Sequence, residues 1–205
     1  MDKKTEEIVK AGCELFMKYG IKSVSMDDLA SRLGMSKKTL YKYVRDKRKL
    51  VEMVLDNILL KNSFHDKNTG KNLNAIEEYF TIYNQVIKMI SEANFSAEFD
   101  LQKYYPDLYK KMLETRQRKM FHGIKMNLAK GVSEGLYRQN LDIDIVAKLN
   151  VMLSESMHDY EFLTQNRQEL IRIMDVNFDY HIHAILSKKG LDEYELIIKK
   201  RNNNE

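Results

Sequence analysis

Apolar residues recur every three or four positions along most of the 205-residue chain, the period of amphipathic helices and not the alternation of half-buried strands. The first stripe is Ile8, Ala11, Gly12, Leu15, Phe16 and Tyr19. With Thr5 as the expected N-cap and Gly20 as the stop, it predicts a helix over about residues 6–19. Ser25-Met26-Asp27-Asp28 has the spacing of a capping box, in which hydroxyl and carboxylate each accept from the other residue's backbone amide. It predicts a second helix, buried through Leu29, Ala30 and Leu33 and ended by Gly34. Ser36 offers another N-cap two residues later, ahead of Leu40, Tyr41 and Val44. Two short helices joined by a turn as tight as Gly34-Met35-Ser36 cross steeply, as in a helix-turn-helix. Asp46 then caps a helix carrying Leu50, Val51, Val54, Leu55, Ile58 and Leu59.

Polar residues dominate positions 61–74 before the helical period returns in Ile76, Tyr79, Phe80, Tyr83, Val86, Ile87 and Ile90. Pro106 suits the first turn of a helix with Leu108, Met112 and Leu113, and Met120, Phe121, Ile124 and Leu128 continue towards Gly131 and Gly135. Two late stripes predict long helices: Ile145, Val146, Leu149, Met152, Leu153, Met157 and Tyr160, then Leu170, Ile171, Met174, Phe178, Ile182, Ile185 and Leu186. The expected fold is all-α, with a domain over residues 1–50 and another over 51–205. The helix starting near Lys47 is expected to be their only connection.

Composition narrows the class. Gly and Pro together number 9, too few for the turns of an all-β chain, and a hydrophobic fraction of 43% supplies a core. The longest run without a charged side chain, Tyr79 to Ile87, is about half a bilayer span, so a cytoplasmic protein without membrane contact is expected. Cys13 is the one cysteine and reads as an apolar filler. The net charge of +4 is uneven: residues 1–50 hold 13 Lys or Arg against 7 Asp or Glu, and the surplus lies in residues 35–50. That block suits a polyanion, although charge runs are commonly solvated helix faces. Its place at the second helix of the pair, the end that enters the major groove in this motif, favours DNA.

Ser25-Met26-Asp27-Asp28-Leu29-Ala30, Gly34 through Val44, Lys47 and Leu50 together resemble the DNA-binding domain of the TetR family of bacterial transcription regulators. Lys38, at a position often Gly, and Val44, at one usually Phe, depart from the pattern. The resemblance implies phosphate or base contacts at Ser25, Lys37, Thr39, Tyr41, Tyr43 and Lys47, to which Ser36, Lys38 and Lys42 are added from the polar face of the same segment. Tyr41 reads equally as a core aromatic whose hydroxyl reaches a phosphate. The segment from Ala129 to Asp142 resembles, less closely, the loop before the last long helices of the family's ligand domains.

By the same resemblance, residues 51–205 form an effector-binding and dimerisation domain, and the last two long helices pair with those of a second subunit. Met152, Met157, Tyr160, Phe178, Ile182 and Ile185 are the expected dimer contacts, an intramolecular core being the other use of such faces. Dimerisation is favoured because a two-fold operator reader needs recognition helices roughly 34–36 Å apart. Phe95, Phe99, Tyr104, Phe121, His122 and Met126 are expected to line a pocket for an apolar or aromatic effector, or else to be core. His181 and His183 lie two apart on a helix and point away from each other, so no metal is expected. No cofactor is expected, and no catalytic motif occurs. The expected function is a DNA-binding transcriptional regulator, a ligand-responsive homodimeric repressor on a pseudo-palindromic operator. The rival expectations are a helical DNA binder without small-molecule control and, in a different class, a helical ligand carrier or enzyme.

Overall fold

The computed structural model describes residues 2–61, 72–92, 95–156 and 166–202. In chain order the helices are α1 (Lys3–Tyr19), α2 (Met26–Arg32), α3 (Lys37–Leu40), α4 (Lys47–Lys61), α5 (Ala75–Glu92), α6 (Phe95–Tyr104), α7 (Pro106–Ser133), α8 (Ile143–Ser156), α9 (Arg167–Ile185) and α10 (Lys188–Asn202). Helices α6 and α10 had no counterpart in the apolar stripes. Among the described residues, extended pairing is confined to an isolated antiparallel bridge between Tyr137 and Leu186. No described helix is long and apolar enough to cross a membrane.

Contacts divide the chain into two compact units, Met1–Ser63 with Ala93–Arg116 and Phe64–Glu92 with Gln117–Glu205. The division differs from one at residue 50 for a packing reason. Leu50, Val51 and Val54 of α4, Ala97 and Leu101 of α6, and Leu108 of α7 are buried with Ile8, Val9 and Phe16 of α1 in one apolar core. The backbone therefore passes between the units three times, between α4 and α5, between α5 and α6, and within α7. The expectation that the helix at Lys47 alone connects them is corrected accordingly.

Local capping sets the elements of the first unit. Helix α1 starts earlier than expected, because the Asp2 carboxylate accepts from the Lys4 and Thr5 amides at 3.1 and 3.0 Å. Thr5 is inside the helix, its hydroxyl donating to Asp2 at 2.6 Å. Gly20 ends α1 at φ +82°, a conformation glycine adopts without strain. The second unit has its own core, built from Ile76, Phe80, Ile124, Leu128, Leu136, Tyr137, Ala147, Phe178, Ile182 and Ile185. Helix α5 opens on a cap hidden in the polar run: the Asn74 side chain accepts from the Ile76 and Glu77 amides, and Glu77 accepts from the Asn74 amide at 2.8 Å.

Candidate nucleic-acid interface

The segment from Ser25 to Lys47 is assembled by three successive caps. At Ser25 both halves of the capping box form: the Asp28 amide donates to the Ser25 hydroxyl oxygen at 3.1 Å, and the Ser25 amide to the Asp28 carboxylate at 2.8 Å. The Ser25 side chain and amide together hold the Asp28 carboxyl below its ordinary range. At Ser36 the hydroxyl oxygen accepts from the Thr39 amide at 3.1 Å, with the two hydroxyls 2.8 Å apart. At Asp46 the carboxylate accepts from the Lys49 amide at 2.8 Å, which lowers its pKa.

Helix α3 is a single turn, too short to stand alone. Leu40 and Val44, both fully buried, pin it to the first core, and Tyr43 and Val44 continue the turn by donating to the Leu40 carbonyl. Truncating a leucine buried in this way costs roughly 2–5 kcal/mol. With the apolar side anchored, Ser36, Lys37, Lys38, Tyr41, Lys42 and Tyr43 are exposed and Thr39 is half-buried. Of the two roles open to Tyr41, core aromatic is set aside, since the residue is 41% exposed.

Two lysines are held in place before any ligand arrives. Lys37 pairs with Asp27 at 2.9 Å on an exposed surface, which raises its pKa. An exposed pair of this kind is weak in water, so a phosphate can displace the aspartate. Lys47 donates to the Lys22 carbonyl at 3.3 Å. Partial burial lowers its pKa against the opposing pull of Asp100 and Asp28. Ser25, Ser36, the α3 side chains and Lys47 thus lie on one unit, an array suited to the sugar-phosphate backbone and base edges.

The other expected sites fare differently. Phe178, Ile182 and Ile185 are buried in the second core and have no surface to give a second subunit, which corrects their assignment as dimer contacts. Met152 is 66% exposed on α8; Met157 and Tyr160 lie outside the described residues. The exposed apolar residues that periodicity did not separate from core are Ile145, Leu149 and Leu153 beside Met152 on α8, and Val176 and Tyr180 on α9.

The expected effector residues are divided between the two units. Phe99 is exposed with the Lys103 ammonium 5.4 Å from its ring, and Tyr104 is exposed beside Lys22, both in the first unit. Phe95 opens α6 in the same unit. Phe121 packs against the second core, whereas His122 and Met126 face outward from the same unit. Four of the six are exposed. A cavity in the first unit beside Leu55, Leu59, Leu108 and Met112 measures about 10 Å³, room for one water. His181 is half-buried against Tyr79 and His183 exposed against Tyr194, as their spacing predicts. Among the described residues no group of three or more His, Cys, Asp or Glu is placed to hold a metal.

Residues 8–54, which include this array, match the family model described as bacterial regulatory proteins, tetR family. The chain is 28% identical over 156 residues to the HTH-type transcriptional repressor KstR2 of Mycolicibacterium smegmatis, covering 69% of this chain and 71% of that one. Its fold is shared with a transcriptional regulator from Cytophaga hutchinsonii (TM-score 0.75, 19% identity, 91% of this chain and 100% of the other). It is also shared with the ketosteroid transcriptional regulator KstR2 of Mycobacterium tuberculosis (TM-score 0.51, 14% identity, 92% and 97%). The capped helix-turn-helix and these likenesses converge: residues 8–54 form a DNA-binding domain of the tetR type, the domain of a DNA-binding transcriptional regulator.

Proposed function

We propose that the protein is a cytoplasmic, ligand-responsive, homodimeric repressor of a pseudo-palindromic operator, with Ser25, Ser36, Lys37, Lys38, Thr39, Tyr41, Lys42, Tyr43 and Lys47 contacting the duplex. The observation that carries the DNA contacts is the division of residues 36–47 into a buried apolar side, Leu40 and Val44, and an exposed basic and aromatic side. Lysines at the start of α3 and α4 add their charge to amide-rich helix ends, where phosphates bind well. Repression is supported by the name of the Mycolicibacterium smegmatis relative.

Dimerisation is supported by the exposed apolar residues of α8 and α9, since exposed apolar surface of this sort marks a protein interface. The dimer face of this reading is Ile145, Leu149, Met152, Leu153, Val176 and Tyr180. Glutamate at Met152 should shift sedimentation from dimer to monomer, and an unchanged dimer would move the interface elsewhere. The second unit takes the effector, and the description of one structural neighbour as a ketosteroid regulator supports an apolar molecule. An effector acts by binding better to a conformation whose two reading heads are misspaced for adjacent major grooves. Selection of bound sequences from random DNA tests the proposal: a two-fold motif with half-sites about one helical turn apart is expected. Recovery of an asymmetric motif, or of none, would overturn it.

A further inference from the structure

We propose that Asp100, on α6, is a positioning residue of the DNA-binding surface: its carboxylate fixes the turn between α1 and α2 and, through Lys22, holds the Lys47 ammonium at the start of α4. The inference rests on the assignment of Lys47 to phosphate contact.

Asp100 is only 9% exposed, yet among the described residues no cation lies within ion-pair distance of it. Its Oδ2 accepts from the backbone amide of Lys22, 78 residues away in sequence, at 2.7 Å. The turn is shaped to admit it: a Cβ at Gly20 would lie 2.9 Å from the same oxygen, and Gly20 holds φ +82° there. One helical turn beyond Asp100, the Tyr104 ring lies 5.3 Å from the Lys22 ammonium. Helix α6 therefore grips Lys22 at its amide and at its side chain. The carbonyl left over accepts from Lys47 Nζ at 3.3 Å.

Asp100 is also the first of the two carboxylates whose charge acts on Lys47. An apolar residue of similar size would bury at this place with less electrostatic cost, so the contribution of the carboxylate lies in what it aligns. A lysine already ordered towards the duplex loses less side-chain freedom on binding than a free one.

The test is a double-mutant cycle between Asp100→Asn and Lys47→Met, read as affinity for a fluorescein-labelled mixed-sequence duplex between about 50 and 200 mM salt. Thermal melts of each full-length variant run alongside. Asparagine keeps an acceptor for the Lys22 amide and removes the charge behind Lys47. Asp100→Asn is expected to weaken binding about tenfold when Lys47 is present, and to have no effect in the Lys47→Met background. Equal weakening in both backgrounds would overturn the link. A Lys47→Met slope equal to wild type would instead overturn the phosphate-contact assignment of Lys47, a separable result. If Asp100→Asn fails to fold, Asp100→Glu enters the same cycle, because it moves the carboxylate by one methylene and keeps its charge; additivity again overturns the link.

Discussion

The two compact units are stabilised at different ranges of sequence. In the first, the surface that meets DNA is shaped by hydroxyls and carboxylates acting three residues away, at Ser25 and Asp28, Ser36 and Thr39, Asp46 and Lys49. In the second, polar contacts to the start of α5 join residues fifty or more apart, and Asn127 and Tyr137 are linked across ten. The Tyr137 hydroxyl lies 3.1 Å from both the Ala75 carbonyl and Asn127 Oδ1, Glu134 accepts from the Ala75 amide at 2.8 Å, and Lys130 pairs with Glu78. Locally capped structure carries its function in short motifs; a core closed by distant polar pairs shows its function only once packed.

The largest test of this contrast falls on Tyr137, which is fully buried with its ring where a Cβ at Gly131 would otherwise sit. Tyr137→Ala should cost roughly 3–5 kcal/mol in urea unfolding, the range for a buried aromatic. A cost below about 1 kcal/mol would show that the second core closes without it.

Next is the acid response of the second unit. Burial pushes His181 down to about 4, and its Nε2 has no hydrogen-bond partner among the described residues. Because the folded pKa lies below the unfolded value of about 6.5, the unfolded chain binds more protons as pH falls, and this contribution to stability disappears between about pH 6.5 and pH 4. The shift corresponds to at most about 3 kcal/mol. His181→Leu should remove that part of the pH dependence, measured by urea unfolding at pH 7 and pH 4.5. Equal acid sensitivity in variant and wild type would place the titration elsewhere.

A smaller effect tests the local side. Ser25→Ala removes one cap and should cost about 1 kcal/mol, with hydrogen exchange rising in α2 while the amides of α9 keep their protection. Exchange rising equally in both units would mean that they open together.

The same contrast sets what could be read from the chain before folding. The capping box at Ser25, the cap at Ser36 and the anchors Leu40 and Val44 follow from residue type and spacing alone, because each acts within one or two helical turns. Asn74 and Glu77 have the same spacing, but they sit at the end of a polar run that masks the cap. The late apolar stripes revealed helices without revealing what covers them: Phe178, Ile182 and Ile185 face inward, while Leu149, Met152 and Tyr180 face solvent. Helical period alone does not distinguish the two faces. Asp100 was beyond reach for another reason, since its partner lies 78 positions away in a turn whose shape depends on Gly20.

The central claim is that the exposed side of α3 meets phosphates while Leu40 and Val44 hold it from behind. Its most direct test is the salt dependence of binding to the selected duplex for wild type and the Lys37→Ala, Lys42→Ala double variant, with Lys199→Ala on α10 as a control of charge alone. The slope of log affinity against log salt should fall by about 0.9 for each phosphate that a lysine no longer neutralises, so by nearly two in the double variant and not at all in the control. Equal slopes for the double variant and wild type, with the fold intact, would contradict it.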